Sequence, residues 1–205
     1  IPDAIQQELL VRTVQKSLVQ NALRPAILPR LIYDNSASIK GKGTEFALKR
    51  LRKHLSHHYR KYGRKGGILI MDYKSYFDSI DHEILLSKLR NIIDDDRTYA
   101  LTKMFIDCFP GDKGLGLGSE VSQICAIFYP NEIDHYIKER LHIKGYGRYM
   151  DDSYIISDDI EYLRYCKVKI EEKLKELKLS LNTKRTQIVR FDKGSFCYLK
   201  KRIHL

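Results

Sequence analysis

The sequence predicts an α+β fold: an antiparallel sheet with helices on one face, in a split β-α-β arrangement, preceded by a mostly helical region. Three observations predict it. Residues 68–71, Ile-Leu-Ile-Met, form a short continuous apolar run after glycines, the pattern of a buried strand. Residues 145–157, Gly-Tyr-Gly-Arg-Tyr-Met-Asp-Asp-Ser-Tyr-Ile-Ile-Ser, read as a hairpin turning at Met150 to Asp152. Helical patterns run around them. The most regular covers 161–178, where Leu163, Cys166, Ile170, Leu174 and Leu177 recur at spacings of 3, 4, 4 and 3.

The elements follow in order. Residues 5–22 read as an amphipathic helix, with Ile5, Leu9, Val14, Leu18 and Ala22 on one face and Pro25 and Pro29 breaking it. A loop from Asn35 to Thr44 sets Gly41 and Gly43 among Lys40 and Lys42. A strongly basic helix spans 45–62, with Phe46, Leu51 and Leu55 facing a core. Gly63 to Gly67 is the clearest linker, and it divides the chain into 1–66 and 67–205. Asp72 ends the first strand. Ser79 or Asp81 caps a helix through Ile84, Leu85 and Leu89. Asp94 to Asp96 reads as a solvated acidic turn, and 99–108 as another helix. Gly114 to Gly118 leads into an apolar helix over 119–141. Residues 187–191 and 195–199 read as paired strands around Asp192-Lys193-Gly194.

Composition narrows the class. The chain has 205 residues and is 43% hydrophobic, enough for a core. No apolar run approaches the ~20 residues that span a bilayer, and residues 1–10 do not read as a signal peptide. A cytoplasmic protein without a membrane partner is expected. Cys108, Cys125, Cys166 and Cys197 stand 17, 41 and 31 residues apart, so no CxxC pair points to zinc, and reduced thiols in or near the core are expected. The net charge is +11, and its distribution is uneven. Residues 1–66 carry 14 Lys and Arg against 4 Asp and Glu, whereas 67–205 carry 23 against 22. Such a concentration is the footprint of a polyanion-binding surface, with a merely soluble basic face as the bland reading. His54 and His58, at i and i+4 on the basic helix, read more simply as part of that helix's face than as metal ligands.

The carboxylates carry the chemistry. Adjacent aspartates in a turn are commonly just solvated. Here Asp151 and Asp152 are flanked by Tyr149-Met150 and Tyr154-Ile155-Ile156, so they sit beside a core sheet. The topology brings Asp72, at a strand end, within reach of them. Mg²⁺ favours oxygen ligands and takes one or two carboxylates together with substrate phosphates. Three carboxylates on neighbouring strands can hold two metals ~4 Å apart, as phosphoryl and nucleotidyl transfer requires.

Several segments together resemble one family. Tyr149-Met-Asp-Asp152 resembles the YxDD turn of reverse transcriptases, and Asp72-Tyr-Lys-Ser-Tyr-Phe-Asp78 resembles their first carboxylate motif. Gly114-Leu-Gly-Leu-Gly-Ser-Glu-Val-Ser-Gln123 resembles the segment under the template and incoming nucleotide. Leu181-Asn-Thr-Lys-Arg-Thr186 resembles a later motif. Residues 32–44 and Arg12-Thr-Val-Gln15 resemble the fingers. Each motif is weak by itself, and their shared order over essentially the whole chain is specific. The chain is similar to bacterial reverse transcriptases of the group II intron and retroelement type.

The resemblance implies a right-hand polymerase, with fingers over 1–66, a palm over 67–205 and the thumb absent. It implies RNA-directed DNA synthesis from dNTPs on an RNA template, extending a DNA or RNA primer. Asp72, Asp151 and Asp152 would be catalytic, holding two Mg²⁺ (or Mn²⁺) with the main-chain carbonyl of Tyr73. Phe77 would be the steric gate against a ribose 2′-OH. Leu117, Gly118, Lys184 and Arg185 would meet the dNTP. Arg12, Lys40, Lys42, Lys49, Arg50, Lys53, Ser122 and Gln123 would contact nucleic acid. Self-association into a homodimer stays open.

Departures from the family pattern are Gly116 where proline is usual, Arg185 where lysine is usual, and Lys200 in the late hairpin. Arginine is effectively always charged, which speaks against proton donation by Arg185. The competing readings are an RNA-binding module of the maturase type, an RNA-directed RNA polymerase, and a metal-dependent nuclease or phosphatase. Met150 and Phe77 argue against the second. The last does not explain Phe77 or the glycine-rich segment.

Overall fold

The computed structural model describes residues 3–192 and 194–204, with side chains from residue 6 onward. Ile5 and Lys193, both named above, lie outside the described side chains. The chain forms two compact units that interleave in sequence: residues 1–31 with 77–129, and residues 32–76 with 130–205. The 66/67 division falls inside the second unit.

The first unit is helical. Its opening helix α1 (Asp3–Leu18) runs into a wider π turn over Val19–Leu23 and then α2 (Arg24–Ile27). Pro25 therefore does not end the helical run, contrary to the sequence reading. A proline ring ordinarily clashes with the carbonyl four residues back; here the π turn, which follows an i→i+5 pattern, immediately precedes it. Next come α3 (Thr44–Tyr62) and β1 (Gly67–Asp72), which belong to the second unit, and then the short α4 (Tyr76–Ser79). The first unit resumes at Phe77 within α4 and continues with α5 (His82–Arg90), α6 (Asp96–Asp107) and α7 (Glu120–Phe128). Asp81 caps α5, its carboxylate accepting from the Ile84 N–H. Asp95 is no mere solvated turn residue. It caps α6 by accepting from the Thr98 N–H, so that helix starts three residues earlier than the sequence pattern implies.

The long helix expected over 119–141 is divided. After α7 the chain turns at Tyr129-Pro130 and resumes as α8 (Asn131–His135), then a π turn over Tyr136–Arg140. Proline lacks the N–H that a continuous helix would need at that point.

The second unit holds the sheet, formed by β1, β2 (Gly145–Tyr149), β3 (Asp152–Ser157) and β4 (Gln187–Arg190). Their order is β2-β3-β1-β4, and every neighbour is antiparallel. All six residues of β1 are buried, as suits a central strand that reads as an unbroken apolar run. Helix α9 (Ile160–Glu176) packs on β1, β3 and β4, and the five residues at its predicted spacing are all buried. The opposite face is not bare. Ala47, Leu48 and Leu51 of α3 meet Ile68, Ile70, Tyr154 and Ile156 there, together with Phe196 and Tyr198 of β5 (Ser195–Tyr198).

Strand β5 pairs with β6 (Lys201–His204) and not with β4, which corrects the sequence reading. Leu199 and Lys200, both at positive φ, make the two-residue turn between β5 and β6. Meanwhile β4 fills the free edge of β1, pairing Ile188 with Leu69 and Val189 with Ile68.

Candidate active site

In the second unit, β1 and β3 bring two of the three expected carboxylates together. Asp72 pairs directly with Asp152 across the ladder. Side chains alternate along a strand, and directly paired residues share a face. Asp72 is therefore in phase with Ile68 and Ile70, and Asp152 with Tyr154 and Ile156, on the face covered by α3. Asp151 sits one residue earlier, in the turn closed by the Tyr149–Asp152 pair. Residues 80 apart in sequence thus converge at one end of the sheet.

The segment 180–186 is laid against the same strand end. The Asn182 N–H donates to the Asp72 carbonyl at 2.8 Å, and the Lys74 N–H donates to the Ser180 carbonyl at 2.9 Å. The Asp72 N–H donates to Thr186 Oγ1 at 3.4 Å. This brings the exposed guanidinium of Arg185 to 3.3 Å from Asp72 Oδ2. Lys184 is exposed. Tyr73 forms an isolated bridge with Leu181, and its buried ring packs on Tyr76 at 5.4 Å.

The electrostatics mark this end of the sheet as short of positive charge. Burial raises the Asp152 carboxyl to about 6, and the neighbouring Asp151 and Asp72 push it the same way. Asp151 is also raised, by burial and then by Asp72, against the opposing pull of Arg185 and Arg148. Among the described residues, no three carboxylate, histidine or cysteine side chains converge tightly enough to form a complete cation cage. A Mg²⁺ site completed by substrate phosphates and water needs no such cage. An all-oxygen, electrostatically strained carboxylate set fits that kind of site.

The remaining expected residues fall as follows. In the first unit, the Phe77 carbonyl accepts from the Leu115 N–H at 3.0 Å. Leu117 is 82% exposed. Gly118 has φ +94, a conformation that side chains rarely adopt. A Cβ on Gly116 would lie 2.5 Å from the Phe109 ring, so a side chain there would require that ring to shift. Ser119 caps α7; Ser122 is buried and Gln123 exposed. Gln15 donates to Ser119 Oγ at 2.8 Å, tying α1 to this segment. Arg12 is paired with Glu8.

In the second unit, Lys40, Lys49 and Lys53 are exposed. Lys42 turns inward. Its ammonium donates to the Tyr33 and Asn35 carbonyls and lies over the rings of Tyr33 and Phe46. Arg50 donates to Asp34, which also accepts from Lys138. A cleft of about 560 Å³ in this unit lies at the Ser157 end of the strands and includes His54, His57, His58 and His142.

Sequence reasoning missed Arg148 and Asp134. Both are fully buried and paired, Arg148 Nη2 to Asp134 Oδ2 at 2.7 Å. The available signal was weak: Arg148 lies within the predicted strand 145–149, and Asp134 lies between Ile133 and Ile137 on a helical stretch.

Carboxylates from two strands thus meet at one end of an antiparallel sheet, beside the 180–186 segment. The chain belongs to the reverse transcriptase (RNA-dependent DNA polymerase) family, whose model matches residues 6–201. A comparison with curated proteins returns no match. Among solved structures, apo telomerase from Candida tropicalis aligns with a TM-score of 0.68 at 15% identity, over 95% of this chain and 39% of that one. Telomerase from Candida albicans, in complex with a TWJ fragment of telomeric RNA, aligns with a TM-score of 0.65 at 12% identity, over 94% and 36%. These likenesses establish the fold. The chain spans about two fifths of the telomerases it matches.

Proposed function

We propose that this chain carries the catalytic centre of an RNA-directed DNA polymerase of the retroelement type, adding dNTPs to a primer 3′-OH on an RNA template. The observation that carries the reading is the direct pairing of Asp72 with Asp152, with Asp151 in the adjoining turn. Asp72, Asp151, Asp152 and the Tyr73 carbonyl would hold two Mg²⁺, with Mn²⁺ as a substitute. Bound there, the ions would acidify the attacking hydroxyl and stabilise charge on the departing pyrophosphate.

The chain's own groups supply the rest. Arg185, exposed beside Asp72, offers a fixed positive charge to a triphosphate; it cannot serve as proton donor. Phe77 would exclude a 2′-OH, and Leu117 and Gly118 would lie along the nucleotide. Exposed Lys40, Lys49 and Lys53 would bind template backbone through counterion release. Fingers over 1–66 and palm over 67–205 remain the functional division within this reading. Free cysteines, two of them buried, are consistent with an intracellular setting.

The basic helix α3 also favours a second reading, an RNA-holding maturase-type module with polymerase activity secondary or absent. One experiment separates them: primer extension on an RNA template with Mg²⁺, with dNTPs or rNTPs, alongside RNA affinity. The wild type should extend with dNTPs in preference to rNTPs, and Asp151→Asn should abolish extension while retaining RNA affinity. Equal extension by Asp151→Asn would refute the carboxylate assignment. RNA binding without extension by the wild type would favour the maturase reading.

A further inference from the structure

Arg148 spends every nitrogen of its guanidinium inside the second unit. Nε donates to Asp134 Oδ1 at 2.8 Å and Nη2 donates to Asp134 Oδ2 at 2.7 Å. Tyr146 OH adds a bond to the same Oδ1 at 2.5 Å. The third nitrogen, Nη1, donates to the Met150 carbonyl at 2.9 Å. Both partners of the ion pair are wholly removed from solvent.

Met150 is the first central residue of the two-residue turn, and its φ is +57. Positive φ at the first central position alone is the type II′ pattern, which normally takes glycine. A methionine there is strained and holds that conformation only where its surroundings impose it. The backbone of Arg148 is itself fixed. Its N–H donates to the Asp34 carbonyl at 3.1 Å, and its own carbonyl accepts from the Ser36 N–H at 3.0 Å. Asp134 lies on α8, outside the hairpin. The turn is therefore tied through Arg148 to two separate elements.

We propose that Arg148, oriented by Asp134, is a positioning residue for catalysis: its bond to the Met150 carbonyl holds Asp151 and Asp152 in the arrangement that nucleotidyl transfer requires. Stability alone gives no reason for the pair, since apolar residues of similar volume commonly replace a buried ion pair at no loss of stability. An apolar residue cannot donate to the Met150 carbonyl. A lysine, with its single compact ammonium, cannot fork onto Asp134 and reach that carbonyl as well. The inference rests on the reading of Asp151 and Asp152 as catalytic.

The test is the double variant Arg148→Met/Asp134→Leu, which removes both charges together and leaves neither buried alone. Thermal unfolding should stay near wild type and RNA affinity should be unchanged. Primer-extension kcat should fall about tenfold or more, with a higher Mg²⁺ requirement and a smaller change in dNTP KM. Amide hydrogen exchange at Asp151, Asp152 and Ser153 should accelerate about tenfold, a readout that needs no activity. Wild-type exchange and kcat in this variant would overturn the proposal. Should the double variant not fold, Arg148→Lys decides: a similar kcat loss and faster exchange support the proposal, and wild-type values overturn it. Asp151→Asn run in parallel tells the two readings apart. Undiminished extension by that variant would remove the polymerase assignment, while the exchange rates would still decide the role of Arg148.

Discussion

Helices α3 and α9 flank the same sheet and are of similar length, 19 and 17 residues, yet they handle charge in opposite ways. The outer face of α9 is neutralised from within. Arg164 pairs with Glu161, Lys167 with Glu171, Lys169 with Glu172 and Lys173 with Glu176, each three or four residues apart. Helix α3 has Glu45 as its sole acid against six Lys and Arg. Among the described residues, no carboxylate pairs with Lys49, Arg52 or Lys53. The basic residue of α3 that does find a carboxylate, Arg50, reaches Asp34 in the preceding loop. Both helices use one apolar stripe to cover the sheet. They differ in what the other face is left to meet, and the unpaired cations of α3 suit an anionic polymer.

Substitutions on the two helices should act differently. The largest effect is expected from Lys49→Gln/Arg52→Gln/Lys53→Gln on α3. RNA affinity should fall about tenfold or more at physiological salt, and the log–log salt slope should shrink by about 2, with little change in melting temperature. A filter-binding salt titration checks this, and an unchanged slope would make the α3 surface merely soluble.

The buried side of α3 is expected to show in pH dependence. Burial holds the His54 imidazole down to about 4, against the pull of Asp34. An unfolded histidine titrates near 6.5, so between those values the unfolded chain binds more protons. Stability should therefore be complete above about pH 6.5 and be lost as pH falls towards 4, by about 2 kcal/mol between pH 7 and pH 5. Urea melts of wild type and His54→Gln at the two pH values test this. Equal losses in both proteins would remove His54 as the source.

The matching change on α9, Lys167→Gln/Lys169→Gln/Lys173→Gln, should do the reverse of the α3 change. It should cost about 1 kcal/mol of stability in total, since exposed helix pairs contribute about 0.3–0.5 kcal/mol each. RNA affinity should move less than about twofold. A drop as large as that of the α3 variant would erase the distinction between the helices.

The same physics explains what could be read from sequence. Strand β1, the 145–157 hairpin and helices α3 and α9 were legible because each buries a face whose period shows in the sequence. That Asp72 lies beside the 151–152 turn was legible through their places in that pattern. Local signals misled where tertiary context prevailed. Pro25 sits beside a π turn that keeps the run helical. Pro130 divides a helix that apolar composition had joined. Strand β4 prefers the open edge of β1 to a hairpin with β5. The buried pairing of Arg148 with Asp134 was illegible because it joins two segments that do not announce it separately. Lys42 looked free in sequence, and its inward turn depends on the carbonyls and rings of a folded loop.

Primer extension across a Mg²⁺ titration for the wild type, Asp72→Asn and Asp152→Asn tests whether carboxylates from two strands act as one cation-dependent catalytic set. Each substitution should lower the rate by roughly 10²-fold or more at every Mg²⁺ concentration, in keeping with the loss of one preorganised electrostatic group. Wild-type extension by Asp72→Asn would contradict the account, because the strand that pairs with Asp152 would then contribute nothing to the chemistry.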